Sequence, residues 1–161
     1  MPFSLLQNDR EKTHIKPWEI LIVDDEEDIH TITKMALKRF ELEDRGVEFL
    51  SAYNSDEAKK LIEEHNDIAL IFLDVVMETD DAGLRVAKWL RDEKKNTFTR
   101  IILRTGQPGQ APEEEVIMDY DINDYKQKTE LDRTKLFTTV VTALRAYRDL
   151  IRIDEARTYE R

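Results

Sequence analysis

Ile68 to Leu73 reads IALIFL, and Asp74 follows at once. An unbroken apolar run of this kind marks a strand covered on both faces, whereas a strand with one wet face alternates. Covering both faces takes helices, and the neighbouring text supplies them. Downstream of Asp74, Leu84, Ala87 and Leu90 recur at helical spacing. Upstream, EILIV (Glu19 to Val23) is a second apolar strand, followed by Ile29, Ile32, Ala36 and Phe40 at helical spacing. VEFLSA (Val47 to Ala52) has strand character too, and Asn54 with Glu57 three residues on marks a helix start ahead of Ala58, Leu61 and Ile62. Further along, RIIL (Arg100 to Leu103) precedes a Gly/Pro loop, GQPGQAP, and a short helical stretch from Glu113 to Tyr120. The polar segment DINDY (Asp121 to Tyr125) is placed as the fifth strand, and Leu136, Val140, Leu144, Tyr147 and Ile151 set the register of the helix behind it.

Five strand-helix units predict an α/β fold, a doubly wound parallel sheet joined by right-handed crossovers. The five-stranded solution is flavodoxin-like, with strand order 2-1-3-4-5, and it puts ligands outside the carboxyl ends of the strands at the switch between strands 1 and 3. Residues 1–17, closed by Pro17, read as an N-terminal arm and 18–150 as the domain. Residues 151–161 (IRIDEARTYER) keep helical composition with no Gly or Pro stop, and read as the start of a C-terminal linker helix. A chain of 161 residues is long enough to close one core unaided. Zero cysteines exclude a disulfide framework, a thiolate-held metal and thiol catalysis. Lys and Arg number 25 against 35 Asp and Glu, a net charge of −10, which disfavours nucleic acid and anionic membrane and favours a bound cation. The N-terminus has no signal-peptide pattern and no window approaches ~18 consecutive apolar residues, so a cytoplasmic protein is expected.

The residues just past each strand carry the chemistry. Asp24 and Asp25 follow strand 1, Asp74 strand 3, Thr105 strand 4, and Lys128 lies beyond strand 5; strand 2, away from the switch, is followed only by Tyr53 and Asn54. Three carboxylates meeting in one crevice repel one another unless a cation offsets them, and a hard divalent ion such as Mg2+ suits two or three Asp oxygens with water and phosphate completing its shell. Asp74, held by a rigid apolar strand, is placed as a nucleophile towards phosphorus, with Thr105 and Lys128 neutralising the phosphoryl oxygens. Taken singly, Asp25 or Asp28 reads better as a helix cap, and Tyr53, Trp89 and Tyr125 as core or rim aromatics. His14, His30 and His65 show no metal-ligand spacing, and GQPGQAP, which matches no phosphate-loop spacing, reads as a mobile loop.

The segments ILIVDDEED (Ile20 to Asp28), LIFLDVVM (Leu70 to Met77), ILRTG (Ile102 to Gly106) and DYKQK (Asp124 to Lys128) resemble a bacterial response-regulator receiver domain, from about Trp18 to Leu150. The resemblance implies that a sensor histidine kinase, a phosphotransfer protein or a small phosphodonor phosphorylates Asp74 with Mg2+. It implies that Asp24, Asp25, Asp74 and the Val76 backbone carbonyl hold the ion, and that Thr105 and Lys128 contact the phosphoryl group. Tyr125 matches the switch aromatic, and the face of helix 4, strand 5 and helix 5 would change, signalling to an output domain or to a second copy. Three departures stand out: Glu78 where Pro often follows the Met, one extra residue before Gly83, and Thr129 in place of Pro after the lysine. TDDAGL, RTGQPGQAP and DINDYKQKTEL look like the receivers of multidomain regulators with cyclic-dinucleotide or other phosphohydrolase outputs. Two other readings stay open at this level. A phosphatase of the haloacid-dehalogenase type also uses Asp, Thr, Lys and Mg2+, but expects its nucleophile after strand 1. A degenerate receiver would dock a partner without phosphorylation.

Overall fold

The computed structural model describes residues 15–106, 114–128 and 132–160; most of the N-terminal arm, residues 107–113 of the Gly/Pro loop, and Thr129 lie outside these. The elements run β1 (Trp18–Val23), α1 (Glu27–Ala36), β2 (Val47–Ala52), α2 (Ser55–Glu64), β3 (Ile68–Asp74), α3 (Ala82–Lys88), β4 (Arg100–Thr105), α4 (Glu114–Asp119), β5 (Asp124–Gln127) and α5 (Arg133–Glu160). A π-helical turn, Trp89–Glu93, closes α3. The strands pair in parallel in the order β2-β1-β3-β4-β5, the arrangement the sequence predicts.

The apolar runs dictate where the core lies. Alternate residues of β1, β3 and β4 feed two layers. Leu21, Val23, Ile71, Leu73, Ile101 and Leu103 pack with Ala58, Ile62, Val86 and Leu90 on one face. On the other, Ile20, Ile22, Leu70, Phe72 and Ile102 pack with Leu37, Leu136, Val140 and Leu144. Every residue of β3 is buried, as a strand wrapped on both sides must be. The α2 start is a reciprocal capping box: Asn54 Oδ1 accepts from Glu57 N–H at 2.9 Å, and Glu57 Oε1 accepts from Tyr53 N–H at 3.1 Å.

Three expectations need correction. The fifth strand begins at Asp124 and not Asp121. Asp121 sits in left-handed backbone (φ 49°), while Asn123 turns both its N–H and its side-chain oxygen onto Ile101, so the ladder opens only at the next residue. Ile32 is 47% exposed, and the buried face of α1 runs instead through Ile29, His30 and Thr33. Neither Asp25 nor Asp28 caps α1: Glu26 occupies the N-cap with no side-chain bond, and Asp28 lies in the first turn.

The loop after β3 is drawn tightly onto the sheet. Gly83 N–H donates to Val75 O at 2.9 Å, and a Cβ on Gly83 would lie 2.0 Å from the Asp74 carbonyl oxygen. The extra residue between Asp74 and Gly83 is taken up by a Met77 to Ala82 turn, with the Met77 and Ala82 N–H groups both donating to Thr79 O. Glu78 accepts from Ser55 N–H at 3.0 Å and ties this loop to the α2 start. Gly83→Ala is therefore expected to cost about 3 kcal/mol, because backbone must shift to admit the methyl. Gly46→Ala, with nothing within 4 Å of the new Cβ, should cost under about 1 kcal/mol. Urea unfolding of the pair checks this, and equal losses would show that the Gly83 contact relaxes freely.

Candidate functional site

Parallel strands end on one edge, so β1, β3, β4 and β5 deliver their last residues to the same crevice. Asp24 follows β1 and is buried; its Oδ1 accepts from Glu26 N–H at 2.9 Å, which bends the chain into α1. Asp25 is exposed beside it. Asp74 closes β3 at 3% exposure, and one carboxylate oxygen from each of Asp24, Asp25 and Asp74 lies within 4.8 Å of the others. Oxygen-only donors at that spacing, two of them buried, fit a hard divalent cation that keeps part of its water shell.

Lys128 reaches this cluster from beyond β5. Its Nζ lies 3.1 Å from Asp24 Oδ2, 3.2 Å from Asp74 Oδ2 and 3.4 Å from Glu26 Oε2, with only 12% of the side chain exposed. Burial alone would lower the Lys128 ammonium, but its bonds to Asp24 and Asp74 outweigh this and hold it above the ordinary lysine value. The carboxyls move the other way. Burial raises Asp24 despite the Glu26 N–H and Lys128. Asp74 is pushed up to about 7 by burial and by the neighbouring Asp24, with Lys128 opposing. One cation within bonding distance does not offset three carboxylates in a partly dry site.

The remaining sequence-predicted residues fall around this centre. Thr105 is buried at the carboxyl end of β4, in register with Gln127. Val76 is half-buried two residues past Asp74 and packs its side chain on the core. Tyr125 pairs with Leu103 in the β4–β5 ladder, half-buried against the same core layer.

Two residues escape sequence reading. His30, with no exposure, lies behind Asp24: its Nε2 donates to Asp24 O at 2.8 Å, its Nδ1 accepts from Ser51 Oγ at 3.0 Å, and Tyr53 stacks on the ring. Arg104, in register with Asp74, is 1% exposed and stacks its guanidinium 3.9 Å from the Phe72 ring centroid. Both contacts are long-range, and the only available signal was an Arg inside an otherwise apolar strand.

A 2-1-3-4-5 parallel sheet with an acidic cluster and a lysine at its switch point defines a flavodoxin-like α/β domain. Residues 20–141 match the response regulator receiver domain, and the chain belongs to that family, the receiver domains of two-component systems. It is 49% identical over 142 residues, 88% of its length, to the 3'3'-cGAMP-specific phosphodiesterase 2 of Vibrio cholerae, spanning 27% of that protein. It is 40% identical over 89 residues to the transcriptional regulatory protein SrrA of Staphylococcus aureus, 55% of this chain and 33% of that one. The chain thus spans about a quarter to a third of the curated relatives it matches. Among solved structures, the signal receiver domain of an HD domain-containing protein from Pseudomonas fluorescens superposes with a TM-score of 0.70 at 21% identity, covering 86% of this chain and 94% of that one. A receiver domain from Clostridium thermocellum gives 0.69 at 23% identity, covering 83% and 98%. Among the described residues, no helix is long and apolar enough to cross a membrane.

The raised Asp74 carboxyl has a measurable consequence without metal. It titrates near 3.8 when unfolded and about 7 when folded, so between those values the native state holds a proton that the unfolded chain lacks. Its contribution to stability is most favourable below the lower value, falls as pH rises towards 7, and stays least favourable above it. In EDTA at pH 8, Asp74→Asn is expected to exceed wild type by about 2–4 kcal/mol, the gap closing as the pH drops towards 4. Urea denaturation across that range checks it, and superimposable curves would remove the electrostatic conflict.

Proposed function

We propose that this chain is a phosphorylation-dependent switch in which Asp74 accepts a phosphoryl group from the phosphohistidine of a sensor kinase or phosphotransfer protein. The observation that supports it best is the convergence of Asp24, Asp25, Asp74 and Lys128 on one strand edge, with Asp74 at the end of a buried strand. In the transfer, an Asp74 carboxylate oxygen bonds to phosphorus while the phosphorus–nitrogen bond breaks, and its electron pair leaves on the donor imidazole. The product is an acyl phosphate on Asp74. A magnesium ion held by Asp24, Asp25, Asp74 and the Val76 carbonyl supplies charge neutralisation for the phosphoryl oxygens.

The chain's own residues do the positioning. The Gly83 N–H bond to the neighbouring Val75 carbonyl and the pairing with β4 keep the Asp74 main chain fixed, so little reorganisation accompanies attack. Lys128, already 3.2 Å from Asp74 Oδ2, pairs with the added phosphoryl oxygens. Thr105 donates its hydroxyl from the end of β4, and Tyr125 follows by turning inward beside it. Those shifts change the face of α4, β5 and α5, a population shift between two states, and that face serves an output domain or a second copy.

We read 18–150 as the receiver, 1–17 as an arm and 151–161 as the beginning of a linker. The 49% identity to a cyclic-dinucleotide phosphodiesterase supports a phosphohydrolase output in the natural protein, in the cytoplasm beside its kinase. The haloacid-dehalogenase reading loses its basis, since the candidate nucleophile follows β3.

Intact mass after incubation with acetyl phosphate and Mg2+ tests the proposal. One phosphoryl gain is expected in wild type, none in Asp74→Ala or without metal, and under about a tenth of the wild-type rate in Lys128→Ala. A gain equal in Asp74→Ala would refute the assignment, and no gain in any sample would leave a docking module without phosphorylation.

A further inference from the structure

Three buried arginines flank the sheet, and they are not alike. Arg91 donates to the carbonyls of Tyr120, Asn96, Thr99 and Asp121. Arg100 donates to Phe98 O at 2.8 Å and to Thr97 O, and lies 3.6 Å from Asp121. Both are main-chain clamps, with their donors committed. Among the described residues the Arg104 side chain makes one hydrogen bond, Nη1 to Thr33 Oγ1 at 2.9 Å, and its Nε and Nη2 have no partner.

A buried guanidinium with two unpaired nitrogens is an expensive way to fill space, and an apolar residue would cover Phe72 as well. What an apolar residue lacks is charge. Arg104 is the β4 partner of Asp74, its main-chain oxygen accepts from Val75 N–H, and its side chain lies on the α1 face of the sheet. Burial pushes its guanidinium down only to about 10, against the pull of Asp24 and Asp74, so it is cationic at neutral pH. The centre then sets the carboxylates of Asp24, Asp25 and Asp74, with Glu26 at the rim, against two cations, Lys128 and Arg104. Lys128 lies in the crevice itself, whereas Arg104 is held beside the Asp74 strand end by Thr33 and the Phe72 ring.

We infer that Arg104 is a permanent internal counter-charge for the acidic cluster, stabilising the metal-free form and by the same charge weakening the cluster's affinity for a divalent cation. This rests on the reading that the cluster binds Mg2+. A cation that attracts the carboxylates repels the incoming ion, and the two effects scale together with separation. The receiver is thereby tuned to fill at higher Mg2+ than its three carboxylates alone would dictate.

Magnesium titration followed by the amide resonances of Asp25 and Glu26 tests this without any phosphoryl transfer. Arg104→Met and Arg104→Gln, both neutral, are expected to bind Mg2+ at least about threefold more tightly than wild type, since one repelling charge is removed. Arg104→Lys should stay within twofold of wild type. Thr33→Val, which removes the one side-chain hydrogen-bond partner of Arg104 among the described residues and keeps the charge, should also stay within twofold. If Arg104 were merely a structural tie, the neutral variants and Thr33→Val would weaken binding together, and that result, or unchanged affinity in folded neutral variants, overturns the inference. Should neither neutral variant fold, a Thr33→Val shift beyond twofold still overturns it. Wild type that binds no Mg2+ while a neutral variant does would sustain the counter-charge and refute only the resident-ion reading. Absence of binding in every variant refutes both.

Discussion

Three carboxylates crowded within 4.8 Å constrain the rest of this molecule. At that spacing, and with Asp24 and Asp74 almost wholly out of water, mutual repulsion amounts to several kcal/mol unless cations or protons intervene. Lys128 within bonding distance relieves part of it, and the Asp74 carboxyl is still held well above its ordinary value by burial and by Asp24. A site left in this condition responds strongly to added positive charge and to anything that changes the charge on Asp74. That responsiveness arises from the shortage of neutralisation.

Such a conflict survives only in a frame that does not yield to it. The frame is β3, dry along its whole length and paired on both sides by β1 and β4. Two hydrophobic layers hold it, and at about 25 cal/mol per Å² of buried apolar surface such layers outweigh one unfavourable carboxyl cluster many times over. Gly83 adds close contact at the point where repulsion would otherwise push Asp74 away, since its missing side chain lets α3 sit directly on the Asp74 main chain. The hydrophobic core and the electrostatic site are thus one construction.

Signals that are local or periodic were legible in the sequence. IALIFL announces a doubly covered strand, Asn54 with Glu57 announces a capping box, and once the sheet is parallel the residues after each strand must share an edge. The fifth strand was misplaced by three residues because its position is set from outside: Asn123 holds Ile101 and Asp121 turns left-handed, neither of which leaves a hydrophobic pattern. The α1 face drifted for a related reason, since Ile32 reads as core by type while His30 and Thr33 are the residues turned inward. His30 bonds Ser51 across 21 residues and Arg104 bonds Thr33 across 71, and contacts of that span are invisible to any window of the sequence.

The far end of the fold bears on how a change at the site leaves it. Helix α5 runs unbroken from Arg133 to Glu160, about 42 Å at 1.5 Å per residue, and its first half packs Leu136, Val140 and Leu144 into the core. Its second half is held at the opposite pole, where Arg148 and Arg152 lie 2.8 and 3.6 Å from Glu43. Glu43 and Asp44 both adopt left-handed backbone (φ 55° and 61°) in the tight Leu42 to Arg45 turn, a conformation that costs non-glycine residues about 1 kcal/mol or more each. Exposed ion pairs contribute at most about 1 kcal/mol. The Glu43 pairs are therefore the weaker of two ties between this turn and α5: Trp18 Nε1 donates to Leu42 O at 3.1 Å, and Leu42 packs in the same apolar layer as Tyr147 and Ile151, the layer that seats α5 on β3 and β4.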